Sequence, residues 1–585
     1  MENKILVNAK STNIQNAMRY SGLLCDGRIL LDDGGIFEIH RIIMCVACAF
    51  FRALFTCQFN IGNRRDVHVR FVRTEIMECV IDFAYASSCR INDVNVIELL
   101  ATAEYFGFLE LIDQCTRYIA NSLTPTNCVS LMAKTRRYVY AHEIQNELRN
   151  YVLHNFDQFT DVNKEEILNL SIDDLFDVIA DDKLNCETEA SVWEYCLRWI
   201  QCDEKNRIQY TRKLLQGIRL GLMNPNYFLS QVRDHVYVRM SPETKPIIMA
   251  TLRFMFDLDG ENWYQNDYVA PIMAGPRLPY DVLFAIGGWY NGVPISIIET
   301  YDNRAQLWTS AIELTDRNEP RIYHGASVIN HKIFCIGGFR HDKAHNSCKV
   351  FDALTKTWSE IAPMHDRRSY ASVCVLNGKI YSLGGNSGSI NSNLNNRLNS
   401  CEVYNPNTNQ WTFIANMNFR RSDADACTFD GRIYVTGGFD GTECTQSCEV
   451  YDVENDEWSM IAQMLHPRSG HKCIIFKNEI FVLGGYDGFR RLDLCEKYNP
   501  KTNTWSRIRS MNIPRTNFGV AIIDGNIFVA GGYSDDYATS STEVYRYNEN
   551  KWYLAPGMCR ERFAFTLSKV SGLPNVEDFV LKRHI

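Results

Sequence analysis

No stretch of this chain is apolar enough to cross a membrane. The longest apolar run near the N terminus, Ile42 to Phe51, is far short of a span and is flanked by Arg41 and Arg52. The opening segment MENKILVNAKST carries no apolar signal region, so secretion is not expected. Surplus positive charge is missing too. Lys and Arg number 61 against 69 Asp and Glu, a formal net charge of −8, which leaves no basic footprint for nucleic acid. Zinc-finger spacing of two cysteines and two histidines occurs nowhere. The 13 histidines are scattered, and His341-x-x-x-His345 reads as a solvated loop. Cys45-x-x-Cys48 lacks a second pair at metal-ligand spacing and lies in an apolar helical stretch. These absences point to a cytoplasmic chain with no metal, no cofactor and no membrane partner.

What is there repeats. Gly-Gly pairs begin at Gly287, Gly337, Gly384, Gly437, Gly484 and Gly531, at a period of roughly 47 to 50 residues with a longer third unit. An aromatic follows 14 positions after the first Gly of five pairs: Tyr301, Phe351, Tyr451, Tyr498 and Tyr545. Seven positions later stands a Trp: Trp308, Trp358, Trp458, Trp505 and Trp552. The third unit reaches Tyr404 and Trp411 after extra polar residues between Asn386 and Asn396. An Arg precedes units two to six by 16 positions: Arg321, Arg368, Arg421, Arg468 and Arg515.

Each unit reads as four strands. Apolar runs such as IFCIGG and IFVLGG end at the Gly pair, where glycine permits close backbone approach. The next two strands carry the Tyr and the Trp, and the last follows the Arg. Large aromatics fill wedges between neighbouring units. These repeated Gly, Tyr, Trp and Arg residues are therefore read as structural. Cys348, Cys401, Cys448 and Cys495 recur at one position and read as small buried thiols among the 21 cysteines of the chain. The first unit lacks the strand that follows an Arg. The chain ends with Arg562 and FAFTLSKV but no further Gly pair, so the last strand is expected to complete the first unit and close a six-bladed ring.

The N-terminal half has a different pattern. Asn13 to Leu24 reads as an amphipathic helix, and LCDGRILLDDGGIFEIH as a strand hairpin turning at Asp32-Asp33-Gly34-Gly35. Helical segments follow: IIMCVACAFFRALF, EIMECVIDFAYAS, NVIELLATAEYFGF and LIDQCTRYIANSL. Residues 123–255 keep a helical period of three and four. Before EASVWEYCLRWI, Asn185 is the better cap candidate and Thr188 the second. Residues 256–280, rich in Pro, Gly and polar side chains, read as a linker.

The array of Gly-Gly, Tyr and Trp resembles kelch repeats, and the two N-terminal regions resemble BTB and BACK domains. The chain is thus similar to the BTB–BACK–kelch, or kelch-like, family over nearly its whole length. The resemblance implies a multidomain fold: an α/β BTB domain, an all-α BACK domain and a six-bladed all-β kelch propeller closed by a C-terminal strand. The expected boundaries are an N-terminal tail at 1–11, BTB at 12–122, BACK at 123–255, the linker at 256–280, the propeller at 281–572 and a C-terminal tail at 573–585. In the family, Asp26 and His40 occupy buried positions near a homodimer interface, and the BTB domain dimerises.

Proteins of this order resemble substrate adaptors of cullin-3 ubiquitin ligases. That implies a non-catalytic chain, with cullin-3 and an unidentified substrate protein as partners. Many cullin-binding members carry a hydrophobic–any–Glu motif after the FRALF-type helix. Here Phe59 supplies the hydrophobe and Ile61 stands where Glu is expected. The resemblance places cullin contacts at Phe55, Phe59, Ile61 and Tyr105. It places the residue after each Gly pair, and the two after each blade Arg, on one rim of the ring. Those chosen as substrate-binding are Trp289, Tyr323, Phe339, Ser369, Tyr370, Ser422, Asp423, Phe439, Ser469, Tyr486, Asn517 and Tyr533, with Arg340 and Arg490 from adjoining loops. Aromatics of this kind either cap the blades or anchor a partner. The alternatives are a cytoskeletal scaffold whose ring binds actin, a copper oxidase built on a kelch-type ring, and a BTB transcription factor. Scattered histidines and net acidity count against the last two.

Overall fold

A computed structural model describes residues 14–56, 65–136, 142–159, 166–257, 271–310, 320–388, 396–535 and 537–581. It forms two compact units, residues 1–259 and 260–585. In the first, Gly27–Leu31 is the central strand, antiparallel to Ile36–Ile39 and parallel to Asp66–Val69. At the hairpin turn, Gly35 N–H donates to Asp33 Oδ1 at 3.1 Å. The strand alternates, and its odd members Ile29 and Leu31 are buried. Helices Thr74–Ala86, Val96–Phe106 and Leu109–Asn121 pack with it. Further on come Cys128–Thr135, His142–His154, Ile172–Ala180, Glu189–Gln201, Thr211–Gly217 and Lys245–Asp257. One continuous apolar core runs through this unit, from Ile29 to Ile248.

Several local expectations need correction here. The opening helix stops at residue 20, and Gly22 turns the chain with φ 68°. The run after Arg41 is two helices, Arg41–Ala47 and Ala49–Thr56, parted at an extended Cys48. The Cys48 thiol donates to Phe106 O at 2.8 Å, so the break is pinned in the core. Thr188, not Asn185, caps Glu189–Gln201: its hydroxyl accepts from Ser191 N–H at 3.2 Å. Asn185 is occupied elsewhere, its amide donating to His154 O at 3.0 Å. His40 is buried and bonded through Nδ1 to Tyr85 OH at 2.8 Å. Asp26 is exposed instead, and its carboxylate accepts the Arg41 N–H at the start of the helix at 2.7 Å. None of the described helices is long and apolar enough to cross a membrane.

The second unit consists of six four-stranded antiparallel sheets with three short two-stranded ribbons beside them, among the described residues. One sheet runs Lys472–Phe476, Glu479–Leu483, Cys495–Asn499 and Thr504–Ile508 from inside out, and the others repeat it. The first sheet takes its innermost strand from the far end of the chain: Thr566–Ser571 pairs with Asp281–Ile286, Thr566 opposite Ile286. Innermost strands touch in a circuit from Gly325–Ile329 through Ser372–Leu376, Asp425–Phe429, Lys472–Phe476 and Gly519–Ile523 to Thr566–Ser571, which meets Gly325–Ile329 again. Tyr and Trp fill the wedges. Tyr404 and Trp411 pack on Phe334 and Ile336 of the preceding sheet, and Trp411 Nε1 donates to Ala362 O at 2.9 Å.

The repeated cysteines are buried, and burial pushes the thiols of Cys348, Cys401, Cys448 and Cys495 up to about 12. Residues 573–585 are not a free tail as far as they are described. Leu573, Val576, Phe579 and Val580 join the core of the first two sheets, and Phe579 O accepts from Thr300 at 2.6 Å. The end of the expected linker likewise belongs to this unit, since Leu278 lies in the same core.

Candidate functional site

The repeated arginines build the frame of the site. Arg468 is buried; its Nη1 donates to Gly484 O at 2.7 Å and Leu494 O at 3.0 Å, and its Nη2 to Glu496 at 2.5 Å. Arg368, Arg421, Arg515 and Arg562 do the same in their blades. The Gly pair allows this closeness. Gly485 has φ 106°, and a Cβ there would sit 2.9 Å from Ser469 O.

The residue after each Arg bridges the residue after the Gly pair: Ile322 with Phe339, Ser369 with Asn386, Ser422 with Phe439, Ser469 with Tyr486, Thr516 with Tyr533, and Phe563 with Trp289. The next residue forms a belt. Tyr370 N–H donates to Tyr323 O, Asp423 to Tyr370, Gly470 to Asp423, Asn517 to Gly470, Ala564 to Asn517, and Tyr323 to Ala564, at 2.8–3.1 Å. All six are left-handed, with φ of 51–60°. The belt pairs the backbone N–H and C=O of Tyr323, Tyr370, Asp423 and Asn517 with those of neighbouring belt residues. Sequence reasoning had no signal for it beyond the fixed offset from Arg.

Beside the belt a cleft of ≈ 760 Å³ opens across the middle blades. It gathers Phe339, Tyr370, Asp423, Phe439, Ser469 and Tyr486 from the expected set. It adds Asn386, which follows the third Gly pair, and Arg397, Glu443, Asp487 and Phe489, which the offsets from the Gly pair and the Arg do not single out. Phe489 is 95% exposed, a bare aromatic at a loop tip. Arg397 lies over the Phe439 ring at 5.0 Å and donates to Ser422 Oγ at 3.3 Å. Asp423, Glu443 and Asp487 make the wall acidic around Arg397. Burial pushes the Asp423 carboxyl up to about 6, against the help of the Ser422 hydroxyl at 2.8 Å. Tyr323 and Tyr370 stack at 3.9 Å at the mouth of a second space of ≈ 220 Å³, between the innermost strands. Burial pushes the Tyr323 hydroxyl up to about 12.

Other expected residues stand elsewhere. Ser369 and Ser422, each 1% exposed, do not line the cleft, because their hydroxyls are spent on Asn386 O and Asp423. Trp289 stacks on Phe563, and Tyr533 packs edge-on to Phe563 beneath Arg491. Arg340 sits in a two-residue strand with Phe339. Arg490 is exposed, 3.9 Å from Asp487. Asn517 stays in the belt. In the first unit, Phe55 was expected at a partner surface and is core instead, stacked on Phe51 at 6.0 Å because α-helical spacing turns both rings inward. Tyr105 is 65% exposed. Phe59 and Ile61 lie outside the described residues. Among the described residues, no three His, Cys, Asp or Glu side chains gather as metal ligands.

Comparison with known proteins divides the chain at the same features. A BTB/POZ domain model matches residues 15–123, the BTB And C-terminal Kelch model matches 128–233, and a KLHDC2/KLHL20/DRC7 Kelch-repeats domain model matches 280–464 and 416–562. The chain belongs to the kelch-like family. Kelch-like protein 6 of Homo sapiens is 26% identical over 421 residues, covering 70% of this chain and 65% of that protein. Kelch-like protein 23 of Homo sapiens is 26% identical over 492 residues, covering 72% and 87%. Kelch-like protein 9 of Mus musculus is 26% identical over 384 residues, covering 63% and 59%. The match thus spans less than two thirds of kelch-like proteins 6 and 9. The segments RLPYDVLFAIGGWYNG and RRSDADACTFDGRIYVTGGFDG resemble kelch-like protein 10, while the comparisons support the family and no single member.

Proposed function

We propose that the chain is a substrate-recognition adaptor of a cullin-3 RING ubiquitin ligase. The BTB domain and the start of BACK hold the cullin, and the kelch ring captures a substrate protein for ubiquitination. One observation carries the reading: BTB and BACK regions share a chain with a ring that opens a cleft walled by Tyr370, Phe439, Tyr486 and Phe489. Phe489 is exposed and the other three are half-buried, and aromatics that line a cleft in this way are the usual anchors of protein interfaces. The adaptor makes and breaks no bond. It brings a substrate lysine close to a charged ubiquitin-conjugating enzyme, which is catalysis by proximity.

Homodimerisation through BTB is part of the proposal. Tyr20, at the end of the first helix, and Leu23 and Leu24, in the turn after it, are exposed apolar side chains that a second copy covers. Two linked rings then raise the effective concentration of each for one substrate. Likeness to kelch-like protein 10 extends the reading to male germ cells by analogy alone.

The test is calorimetric binding of the full chain to the N-terminal region of cullin-3, beside the Ile61→Glu variant. Tight binding by the natural chain supports the adaptor reading and means that other contacts compensate for the missing Glu. Binding by the variant alone means that the loop has lost its cullin contact. No binding by either overturns the reading in favour of an actin-binding scaffold, which co-sedimentation with filaments then checks.

A further inference from the structure

Two neighbouring loops shape the cleft, and they are built alike. Each has an aspartate three positions after the first Gly of its pair, Asp440 and Asp487, and each aspartate caps its own turn. Asp440 Oδ1 accepts the N–H groups of Thr442 and Glu443 at 2.6 and 2.9 Å, and Asp487 Oδ1 accepts those of Phe489 and Arg490 at 2.8 Å. The Tyr486 hydroxyl donates to Gly488 O at 2.8 Å and ties the second tip down further. Phe489 is therefore held out in solvent by a fixed backbone, and the loop needs little ordering when a partner covers the ring.

The charge of the cleft is one-sided. Asp423, Glu443 and Asp487 line it against a single cation among the described residues, Arg397. Arg397 is already engaged, with its guanidinium over the Phe439 ring at 5.0 Å and its Nε on Ser422 Oγ at 3.3 Å. Asp423, pushed up to about 6 by burial, is still mostly a carboxylate at neutral pH. Asp440 and Arg490, each next in the chain to a lining aromatic, add one charge of each sign. Arg490 is exposed, and at 3.9 Å from Asp487 its attraction is largely screened by solvent. Residues 389–395, which lead into the lining Asn396, carry no ionisable side chain. A phosphorylated or acidic segment meets net repulsion here, and an uncharged one gains nothing from the field. An arginine or lysine gains twice: its charge from the carboxylates, and its aliphatic stem from the rings of Tyr486 and Phe489.

The volume of ≈ 760 Å³ lies within the roughly 300–1,000 Å³ of pockets that enclose one compact ligand, which suits a short segment of chain better than a flat protein face. Resting on the adaptor reading, in which the ring captures the substrate, we infer that the cleft recognises a short basic and apolar segment of that substrate. An arginine or lysine pairs with Glu443 and Asp487, and a large apolar side chain beside it packs on Phe489.

The test is selection of random short peptides, displayed on phage, against the full chain. Recovered sequences are expected to be enriched in Arg and Lys next to Leu, Met or aromatic residues. One of them, made synthetically, is then measured by fluorescence anisotropy on the natural chain, on Phe489→Ala and on Glu443→Lys. Both side chains are exposed, so neither change disturbs the core. Phe489→Ala is expected to weaken binding by about tenfold, the loss of one interface anchor. Glu443→Lys is expected to weaken it by about fivefold or more and to flatten its dependence on salt. Peptides that need Phe489 but are acidic or uncharged overturn the inference and leave the ring as the capture surface. A basic peptide that ignores either substitution overturns it too, because it binds elsewhere. A selection that recovers nothing overturns it as well. The adaptor reading falls separately, by loss of cullin-3 binding to the same natural chain.

Discussion

Removing Glu496 isolates the buried ion pair that five of the six blades share. Its carboxylate takes the Arg468 guanidinium at 2.5 Å, the Leu465 N–H at 2.7 Å and His466 Nδ1 at 3.0 Å, with both members of the ion pair fully buried. Deleting one partner of such a pair leaves an uncompensated buried charge, which costs about 3–5 kcal/mol. The orphaned Leu465 N–H adds about 1 kcal/mol. At roughly 2 °C per kcal/mol for a domain of this size, Glu496→Ala lowers the melting temperature of the ring by about 8–12 °C. Glu496→Gln keeps an acceptor for the loop and falls by less. The double variant Arg468→Met, Glu496→Leu removes both charges and recovers most of the loss. Scanning calorimetry of the full chain reads this, provided that the ring transition is followed separately from that of the first unit. A drop below about 2 °C for Glu496→Ala refutes the reasoning, since the arginine then has water or another counter-ion within reach.

Two further outcomes follow from the ring. Deleting 563–585 removes the strand paired with Asp281–Ile286, the Ala564 link of the belt and the cover over Phe284, so the ring transition is expected to shift down by more than 10 °C or vanish, on the order expected for lost core burial; an unchanged melt rejects closure by this strand. Asp423 titrates near 6 in the fold against 3.8 for an ordinary Asp, so the folded chain holds a proton that the unfolded chain releases, and stability from this group falls as pH rises between those values. Asp423→Asn is therefore expected to match the natural protein at about pH 4 and to melt about 2–3 °C higher at pH 7.5, the solvent-screened worth of such a shift; equal melts at both pH values would refute the assignment.

Part of this is legible along the chain because it is periodic. A Gly pair, an aromatic and a Trp at constant offsets mean one strand unit repeated six times, and a first unit short of one strand is matched by a spare one at the end. The same offsets find Tyr370, Asp423, Phe439 and Tyr486, which the structure brings to one cleft. They do not tell which rim residues face outward. Ser369 and Ser422 occupy the same offset as Ser469, yet only Ser469 lines the cleft. Arg397 reaches the cleft from the lengthened loop of the third unit, where no offset applies, and Phe489 from a loop position that neither the Gly pair nor the Arg marks. In the helical half, the choice of Thr188 over Asn185 as cap turned on a bond from Asn185 to His154, 31 positions away in sequence.

The sequence by itself determined the ring, its six blades and the residues that build each one, because covalent spacing repeats wherever the same local hydrogen bonds and packing repeat. Only the tertiary structure decided what these residues do together. Tyr323, Tyr370 and Asn517 are locked by backbone into a belt, the apolar residues after Leu573 seal the first two blades, and Asp423, Glu443 and Asp487 meet Phe489 in one cleft. Each of those facts depends on groups far apart in the chain, and their distances are set when the core closes.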